Sequence, residues 1–273
     1  IPVASPSLKG NELRYAIKAI KSGWVSSHGE FIKKFEEKFA DYCLAEYATS
    51  CNNGTSALHL ALLALGIKRG DEVIMPALTY IATANAARYV GARPIFVDSG
   101  KDYWNMDEDK IEERVTKKTK AIICVHLYGV PCNMDKIMTV AKKYGLKVIE
   151  DCAEAIGAEY KGRKVGTFGD IGCFSFFGNK IITTGEGGMC ITGKKELYEK
   201  MNLFKNQGMS LERKYFHPVI GYNYRMTNVQ AAIGLAQLEQ IDSFLKKREA
   251  HNRIYIRLLE EIPGIVILPE KEN

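Results

Sequence analysis

Apolar residues in this chain of 273 residues occur in short runs that alternate with segments of helical periodicity. The runs are rich in β-branched side chains, as expected for buried strands, and helix-like stretches lie between them. Alternation of this kind is typical of βαβ units, so we predict an α/β fold with a mostly parallel central sheet. The predicted strands lie at 72–75, 94–97, 121–125 and 147–149.

The C-terminal part of the chain has a different pattern. Apolar positions from Val229 to Ile241 have helical spacing, and a charged helix is predicted to follow them. We therefore predict a large domain over residues 1–240 and the beginning of a small domain over residues 241–273. Residues 263–269 are expected to form a turn and one strand. A complete second domain needs on the order of 100 more residues, so we expect the chain to be part of a longer protein.

Asp151 stands at the end of a predicted buried strand. Its carboxylate would therefore emerge at the carboxyl edge of the sheet, where open α/β proteins bind their ligands. A buried carboxylate is costly unless it meets a positive partner, which favours a cationic ligand there. The alternative is that Asp151 caps the segment that follows.

Lys180 lies between aromatic residues and a glycine-rich turn at 184–188. Apolar surroundings desolvate an amine and lower its pKa, which would make Lys180 a nucleophile. Glycine is used where a ligand or another backbone segment approaches closely. The alternative is a surface lysine that extends from the end of a strand.

Residues 50–56 place Gly54 and Thr55 directly before a predicted helix, which is marked by Leu58 and Leu62. A turn of this kind offers free N–H groups, hydroxyls and the positive end of the helix dipole to an anion. Simple N-capping by Asn or Ser is the alternative interpretation.

An acid, a serine and a lysine in these positions are the groups that a pyridoxal phosphate (PLP) enzyme uses. Asp151 could lie beneath the pyridine nitrogen, Ser175 could hold the phosphate, and Lys180 could form a Schiff base. The sequence therefore predicts a cofactor site.

Two long motifs resemble those of a known family: GCFSFFGNKIITTGEGGM at 172–189 and HPVIGYNYRMTNVQAAIG at 217–234. They are similar to those of the DegT/DnrJ/EryC1/StrS sugar aminotransferases, and the resemblance extends from residue 1 to about residue 255. It implies the large domain of a fold type I enzyme that binds PLP, with pyridoxamine phosphate (PMP) as the amine form of the cofactor.

The resemblance also implies roles for single residues around the cofactor ring. Lys180 would anchor the cofactor covalently, Asp151 would pair with the pyridinium nitrogen, and Tyr80 would stack on the ring. Glu154 would lie near the ring hydroxyl, where the family often has Gln or His.

The implied phosphate contacts come from two subunits. Gly54, Thr55 and Ser175 would bind the phosphate from one subunit, and Asn223 would reach it from the second. The resemblance therefore implies a homodimer with shared active sites.

The implied reaction transfers an amino group from glutamate to a nucleotide-linked 4-keto-6-deoxy sugar. GDP-4-keto-6-deoxymannose is the expected acceptor, and GDP-perosamine is the expected product. Two alternatives stay open. A nucleotide-sugar dehydratase of the same fold would have His in place of Lys180. A non-catalytic PLP-binding regulator would carry a DNA-binding module, for which we expect no room before residue 10.

Substrate contacts are predicted with their alternatives. Ser26, Ser27 and His28 form a polar turn that the resemblance puts near the sugar phosphate. The alternative is an ordinary surface turn. His126 and Tyr128 follow a predicted strand, where they either face the ligand or pack and cap.

Two further candidates lie in the second motif region. His217, in a KYFHP segment, is expected to reach the nucleotide in the neighbouring subunit. Arg225 follows Asn223 in the GYNYRM segment, which we expect to serve the partner's site.

Composition sets outer bounds on function. The net charge is +6, but Lys and Arg are interspersed with Asp and Glu, so no nucleic-acid partner is expected. The chain has no apolar run of membrane-spanning length and starts without the apolar centre of a signal peptide, so we expect a cytoplasmic protein. Seven cysteines without close pairs and five scattered histidines predict neither a disulfide framework nor a metal site.

Overall fold

The computed structural model describes residues 4–210 and 212–268, which form a sheet with helices on both faces. Residues 1–3, 211 and 269–273, which fall within the predicted domains, lie outside the described residues. In the described part the strands are β1 (Tyr47–Cys51), β2 (Glu72–Pro76), β3 (Arg93–Val97), β4 (Thr119–Val125), β5 (Lys147–Asp151), β6 (Glu159–Tyr160), β7 (Arg163–Lys164), β8 (Ile171–Ser175) and β9 (Gly188–Thr192).

The helices connect these strands or cover the sheet, and three short 3-10 turns lie between β3 and α5. The helices are α1 (Glu12–Lys21), α2 (Glu30–Cys43), α3 (Gly54–Ala64), α4 (Ala82–Tyr89), α5 (Met134–Tyr144), α6 (Lys195–Lys205), α7 (Asn228–Leu238) and α8 (Ile241–Leu259). None of the described helices is both long enough and apolar enough to cross a membrane.

The main sheet has seven strands in the order β1-β9-β8-β5-β4-β2-β3. β3, β2, β4, β5 and β8 run parallel to one another, and β9 is antiparallel to both of its neighbours, β8 and β1. The predicted α/β fold with a mostly parallel sheet is confirmed. Each of the four predicted strands is present, as β2, β3, β4 and β5.

Two hydrophobic cores form because successive residues of a strand point to opposite faces of the sheet. Ile74 packs into the core that contains Phe39 of α2, together with α5 and α7. Its neighbours Val73 and Met75 pack into the other core, against Leu60 of α3 and the helices α4 and α6. Burial on both faces explains why these strands are continuous apolar runs in the sequence.

Local signals set the ends of the helices. The Asn133 side chain accepts the Lys136 N–H at the start of α5, and Gly145 ends this helix with a φ of +63°. Thr227 and Gln230 form a reciprocal capping box at the start of α7.

The C-terminal segment differs in part from its prediction. α8 is the predicted charged helix, and Ile241 is its one buried residue. The strand predicted within 263–269 is absent from residues 263–268, where Val266 is exposed and pairs with no strand of the described chain. Pro269 lies outside the described residues.

Four phenylalanine rings form the centre of one core. Phe39 is fully buried, and its ring centroid lies 5.0 Å from that of Phe174 and 5.4 Å from that of Phe176. Phe35 completes the cluster. These rings join α2 to the end of β8 and the segment that follows it.

We expect Phe39→Ala to lower the free energy of unfolding by about 3–5 kcal/mol, because it removes buried apolar surface and leaves a cavity. Lys38→Ala, one residue away on the exposed side of α2, is the matched control and should change it by less than about 0.5 kcal/mol. Urea unfolding followed by circular dichroism measures both. Equal losses in the two variants would contradict the importance of this cluster.

Candidate active site

A cavity of about 400 Å³ opens where the carboxyl ends of β5 and β8 meet the starts of α3 and α4. This is the edge at which open α/β sheets bind ligands. Seven residues predicted from the sequence line it: Gly54, Thr55, Tyr80, Asp151, Glu154, Ser175 and Lys180.

The start of α3 is built to receive an anion. Asn53 caps the helix by accepting the Ser56 N–H at 2.8 Å. The amides of Gly54 and Thr55 are in the first turn, where no intrahelical acceptor exists. A Cβ atom on Gly54 would lie 2.8 Å from the Cβ of Ser175, so only glycine allows this approach of helix and strand. N–H groups and the Ser175 hydroxyl therefore surround one point at a helix N-terminus.

Asp151 ends β5 and is 5% exposed. Its Oδ1 accepts the Ala153 N–H at 3.1 Å, and its Oδ2 accepts the Thr83 hydroxyl at 2.9 Å. Since Thr83 donates to the carboxylate, it must accept from Thr79, whose hydroxyl is 3.0 Å away. Burial raises the pKa of Asp151 above its usual value, and these hydrogen bonds and the charge of Lys180 oppose the rise.

Lys180 lies in the turn between β8 and β9, with 19% of its side chain exposed. Its Nζ is 3.5 Å from Oε1 of Glu154. The other carboxylate oxygen of Glu154 accepts the backbone N–H of Tyr128 at 3.0 Å. Glu154 is therefore held from one side and orients the amine of Lys180 from the other.

The predicted substrate role of His126 does not hold, because its side chain has no exposed surface. Its Nδ1 accepts the backbone N–H of Cys132 at 3.1 Å, so the ring proton is on Nε2 and is donated to Glu150 at 3.1 Å. His126 is thus a core residue behind the cavity.

Glu150 is the buried partner of His126. Its carboxylate also accepts the backbone N–H groups of Gly166, Phe168 and Gly169, each at 2.7 Å. The ligand atoms of His126, Glu150 and Cys152 lie within 4.8 Å of one another. Because the carboxylate and both imidazole nitrogens are already hydrogen-bonded within the protein, this cluster is structural.

The other predicted substrate residues from the first half of the chain lie outside the cavity lining. Tyr128 is 67% exposed and has a φ of +54°. Ser26, Ser27 and His28 form a surface turn before α2, where the Ser26 carbonyl accepts the Asn228 N–H at 2.6 Å.

His217, Asn223 and Arg225 also lie outside this cavity. His217 is exposed, and its ring contacts the carbonyl of Gln207 at 3.0 Å. Arg225 donates to the Asn223 side chain at 3.0 Å and to Asn206 at 2.9 Å. These contacts fix the carbonyl oxygen of the Asn223 side chain and leave its amide nitrogen to donate.

The sequence interpretation missed Thr79 and Thr83. Thr83 is in the first turn of α4, and Thr79 lies in the bend before this helix, with its hydroxyl 3.0 Å from that of Thr83. Helical spacing does not predict this contact, because Thr79 lies outside the helix. N-capping by Asn or Ser, the alternative interpretation of residues 50–56, is confirmed for Asn53.

The ionisation of Asp151 should leave a measurable mark on stability. Since its folded-state pKa is raised, ionisation favours the unfolded chain, and this loss of stability is absent at low pH and develops as the pH rises through the folded-state pKa. Relative to wild type, ligand-free Asp151→Asn should therefore gain stability as the pH is raised from about 4 to 7. Urea unfolding at several pH values measures the difference.

Asp102→Asn is the control for this series, because Asp102 is exposed. The difference in free energy of unfolding between Asp102→Asn and wild type should be nearly the same at every pH. If the free energies of unfolding of Asp151→Asn and wild type also differ by the same amount at every pH, burial does not perturb the pKa of Asp151.

Comparison with known proteins identifies the family. The pattern that defines the DegT/DnrJ/EryC1/StrS aminotransferase family matches residues 6–273. The chain is 60% identical over 255 residues to the GDP-perosamine synthase of Escherichia coli O157:H7, covering 93% of this chain and 70% of that protein. It is 56% identical over 249 residues to the GDP-perosamine synthase of Caulobacter vibrioides, covering 91% and 67%.

Solved structures agree with this. The aminotransferase from Psychrobacter cryohalolentis superposes with a TM-score of 0.92 at 39% identity, over 97% of this chain and 71% of that one. The PLP form of a putative sugar aminotransferase from Streptococcus pneumoniae has a TM-score of 0.90 at 30% identity, over 96% and 72%. The chain therefore belongs to the DegT/DnrJ/EryC1/StrS aminotransferase family.

Proposed function

We propose that this protein transfers the amino group of glutamate to GDP-4-keto-6-deoxymannose and forms GDP-perosamine, with PLP as its cofactor. The choice of acceptor follows the two relatives at 60% and 56% identity, which are GDP-perosamine synthases. The observation that carries the chemistry is that Lys180, Asp151 and the anion cradle at Gly54 line one cavity.

The residues in this cavity fit PLP. The phosphate would bind the amides of Gly54 and Thr55 and the Ser175 hydroxyl, which approach each other because residue 54 has no Cβ. The pyridinium nitrogen would meet Asp151, which offsets the cost of burying that carboxylate. Tyr80, at the edge of the cavity and 77% exposed, would cover one face of the ring.

When bound, PLP supplies an electron sink for the negative charge that develops as a carbon loses its proton. Asp151 would keep the pyridine nitrogen protonated, which sustains that role. The amine of Lys180 would take the proton from the α-carbon of glutamate and later return a proton to the sugar carbon that receives nitrogen. Glu154 would orient this amine near the ring hydroxyl, from its position 3.5 Å away.

The residues outside the cavity lining receive proposals of their own. Ser26, Ser27 and His28 would contact the sugar phosphate, and Tyr128 would contact the sugar near Glu154. Two observations support these proposals: the turn is on the surface, and Tyr128 donates its N–H to Glu154.

We propose that Asn223, Arg225 and His217 act in the site of the partner subunit of a homodimer. The Asn223 side chain is exposed and is oriented by Arg225, and its amide nitrogen makes no hydrogen bond to the described residues, so it can donate to a phosphate. A two-fold dimer would exchange this segment reciprocally between its two sites.

We also propose that a domain boundary lies near residue 241, between a cofactor-binding domain over 1–240 and a second domain that begins over 241–273. The support is that α7 packs tightly against α1 and α2, whereas Ile241 is the one buried residue of α8.

Glutamate alone should release 2-oxoglutarate in an amount equal to the enzyme and convert the cofactor from PLP to PMP, because the reaction is ping-pong. Lys180→Ala should lose this step and the covalent attachment, while its fold survives. Absorbance spectra, assays of 2-oxoglutarate, and borohydride reduction with peptide mapping measure these outcomes. Lys194→Ala is the control, because Lys194 pairs with Asp170 outside the cavity. A reduced label on another lysine would remove Lys180 from its role.

Adding GDP-4-keto-6-deoxymannose to the PMP form should then restore PLP and give the 4-amino sugar. Restoration by a UDP- or dTDP-linked keto sugar alone would keep the aminotransferase assignment and overturn the acceptor. A deoxygenated product would instead identify a dehydratase, despite the presence of Lys180.

Mixed dimers test the shared site. Combining Lys180→Ala chains with Asn223→Asp chains should place both lesions in one site and leave the other intact, since the new charge of Asp would repel the phosphate. We expect about half of native activity per mixed dimer. Dimers that have exchanged subunits, verified by mass spectrometry of tagged chains, and that remain inactive would show that each chain builds its own site.

A further inference from the structure

A groove of about 610 Å³ opens from the cavity and runs towards α8. The two spaces share four lining residues: Ala153, Glu154, Asn179 and Lys180. A molecule that reacts beside Lys180 can therefore extend into the groove without leaving the site.

One face of α8 forms the far wall of this groove. Leu245, Arg248, Glu249 and Asn252 line it, and their spacing of three, four and seven residues places them on the same side of a helix. Gly157 allows this face to approach the loop closely, because a Cβ there would lie 2.5 Å from Cδ1 of Leu245. Its φ of +85° also favours glycine.

Arg248 is exposed, and its side chain makes no hydrogen bond or ion pair with any residue in the described ranges. The other charged groups that line the groove are Glu154, Lys180 and Glu249. Glu154 and Lys180 already contact each other. A guanidinium whose side chain has no partner among the described residues thus lines the same groove as the reactive amine of Lys180.

A dicarboxylic amino acid fits this arrangement. Its α-carbon must lie beside Lys180, so its distal carboxylate is the end that can reach along the groove. Glu154 and Glu249 would repel the distal carboxylate of such a donor, so a cation is needed to offset them. The planar guanidinium of Arg248 can bind a carboxylate through two parallel hydrogen bonds.

We propose that Arg248 binds the distal carboxylate of the amino donor and thereby selects a dicarboxylic amino acid. This inference rests on the proposed aminotransferase function and adds a residue that discriminates among donors. Lys180 and Asp151 carry out the chemistry, and Arg248 determines which amino acid reaches them.

Arg248→Gln should raise the KM for glutamate about tenfold, the loss expected for one charge-assisted contact at a partly solvated site. The turnover number should change little. The preference for glutamate over glutamine should fall by a similar factor, because glutamine lacks the distal charge. For Arg248→Lys, the KM for glutamate should lie between those of wild type and Arg248→Gln, since lysine keeps the charge and loses the paired geometry.

Lys247→Gln is the matched control, because it removes a neighbouring positive charge that does not line the groove. This variant should leave the preference for glutamate over glutamine unchanged. The half-reaction with the keto sugar should be unaffected in the Arg248 variants, which separates donor recognition from binding of the nucleotide phosphates.

Binding of glutarate to the PLP form, measured by calorimetry, tests the contact without turnover. Arg248→Gln should weaken it about tenfold. If Arg248→Gln changes neither the preference for glutamate over glutamine nor the binding of glutarate, the proposal is overturned. A defect confined to the keto-sugar half-reaction would also overturn it. If wild type binds glutarate through Arg248 but releases no 2-oxoglutarate from glutamate, the proposed function fails and this contact stands.

Discussion

Two successive carboxylates buried at the end of β5 set the arrangement of the site. Because side chains alternate along a strand, Glu150 and Asp151 face opposite sides of the sheet. Glu150 receives three backbone N–H groups and the His126 proton, so its charge is offset within the protein. Asp151 receives two donors and lines the cavity. One acid stabilises the fold, and the next remains available for a ligand.

The remaining parts of the site are positioned by close backbone approaches. Gly54 brings the start of α3 against Ser175 at the end of β8, and Gly157 brings the loop that carries Glu154 against Leu245 of α8. Both contacts lack space for a side chain, so packing determines how closely the start of α3 approaches Ser175 and how closely the Glu154 loop approaches α8. This is the pre-organisation that a cofactor-binding cavity requires.

The sequence predicted most of the sheet because strands buried on both faces are continuous apolar runs. It predicted Asp151 from its place at a strand end, but the same rule misled for His126. Position at the ligand edge does not reveal which way a side chain points, and His126 points into the core. The contact between Glu154 and Lys180 joins positions 26 residues apart, and no local pattern encodes such a distance. The strand predicted in 263–269 failed for residues 263–268, because branched residues there pair with no neighbouring strand of the described chain.

Because the groove-lining residues are regularly spaced along α8, the position of a charged side chain on this helix determines the length of the ligand that it can bind. Arg248 and Asn252 are one turn apart on the same face, which corresponds to about 6 Å along the axis. Exchanging the side chains at these two positions would move the cation by that distance without altering the cavity around Lys180. Related enzymes could thus diverge in the chain length of the molecules they accept while the groups that carry out the chemistry remain in place.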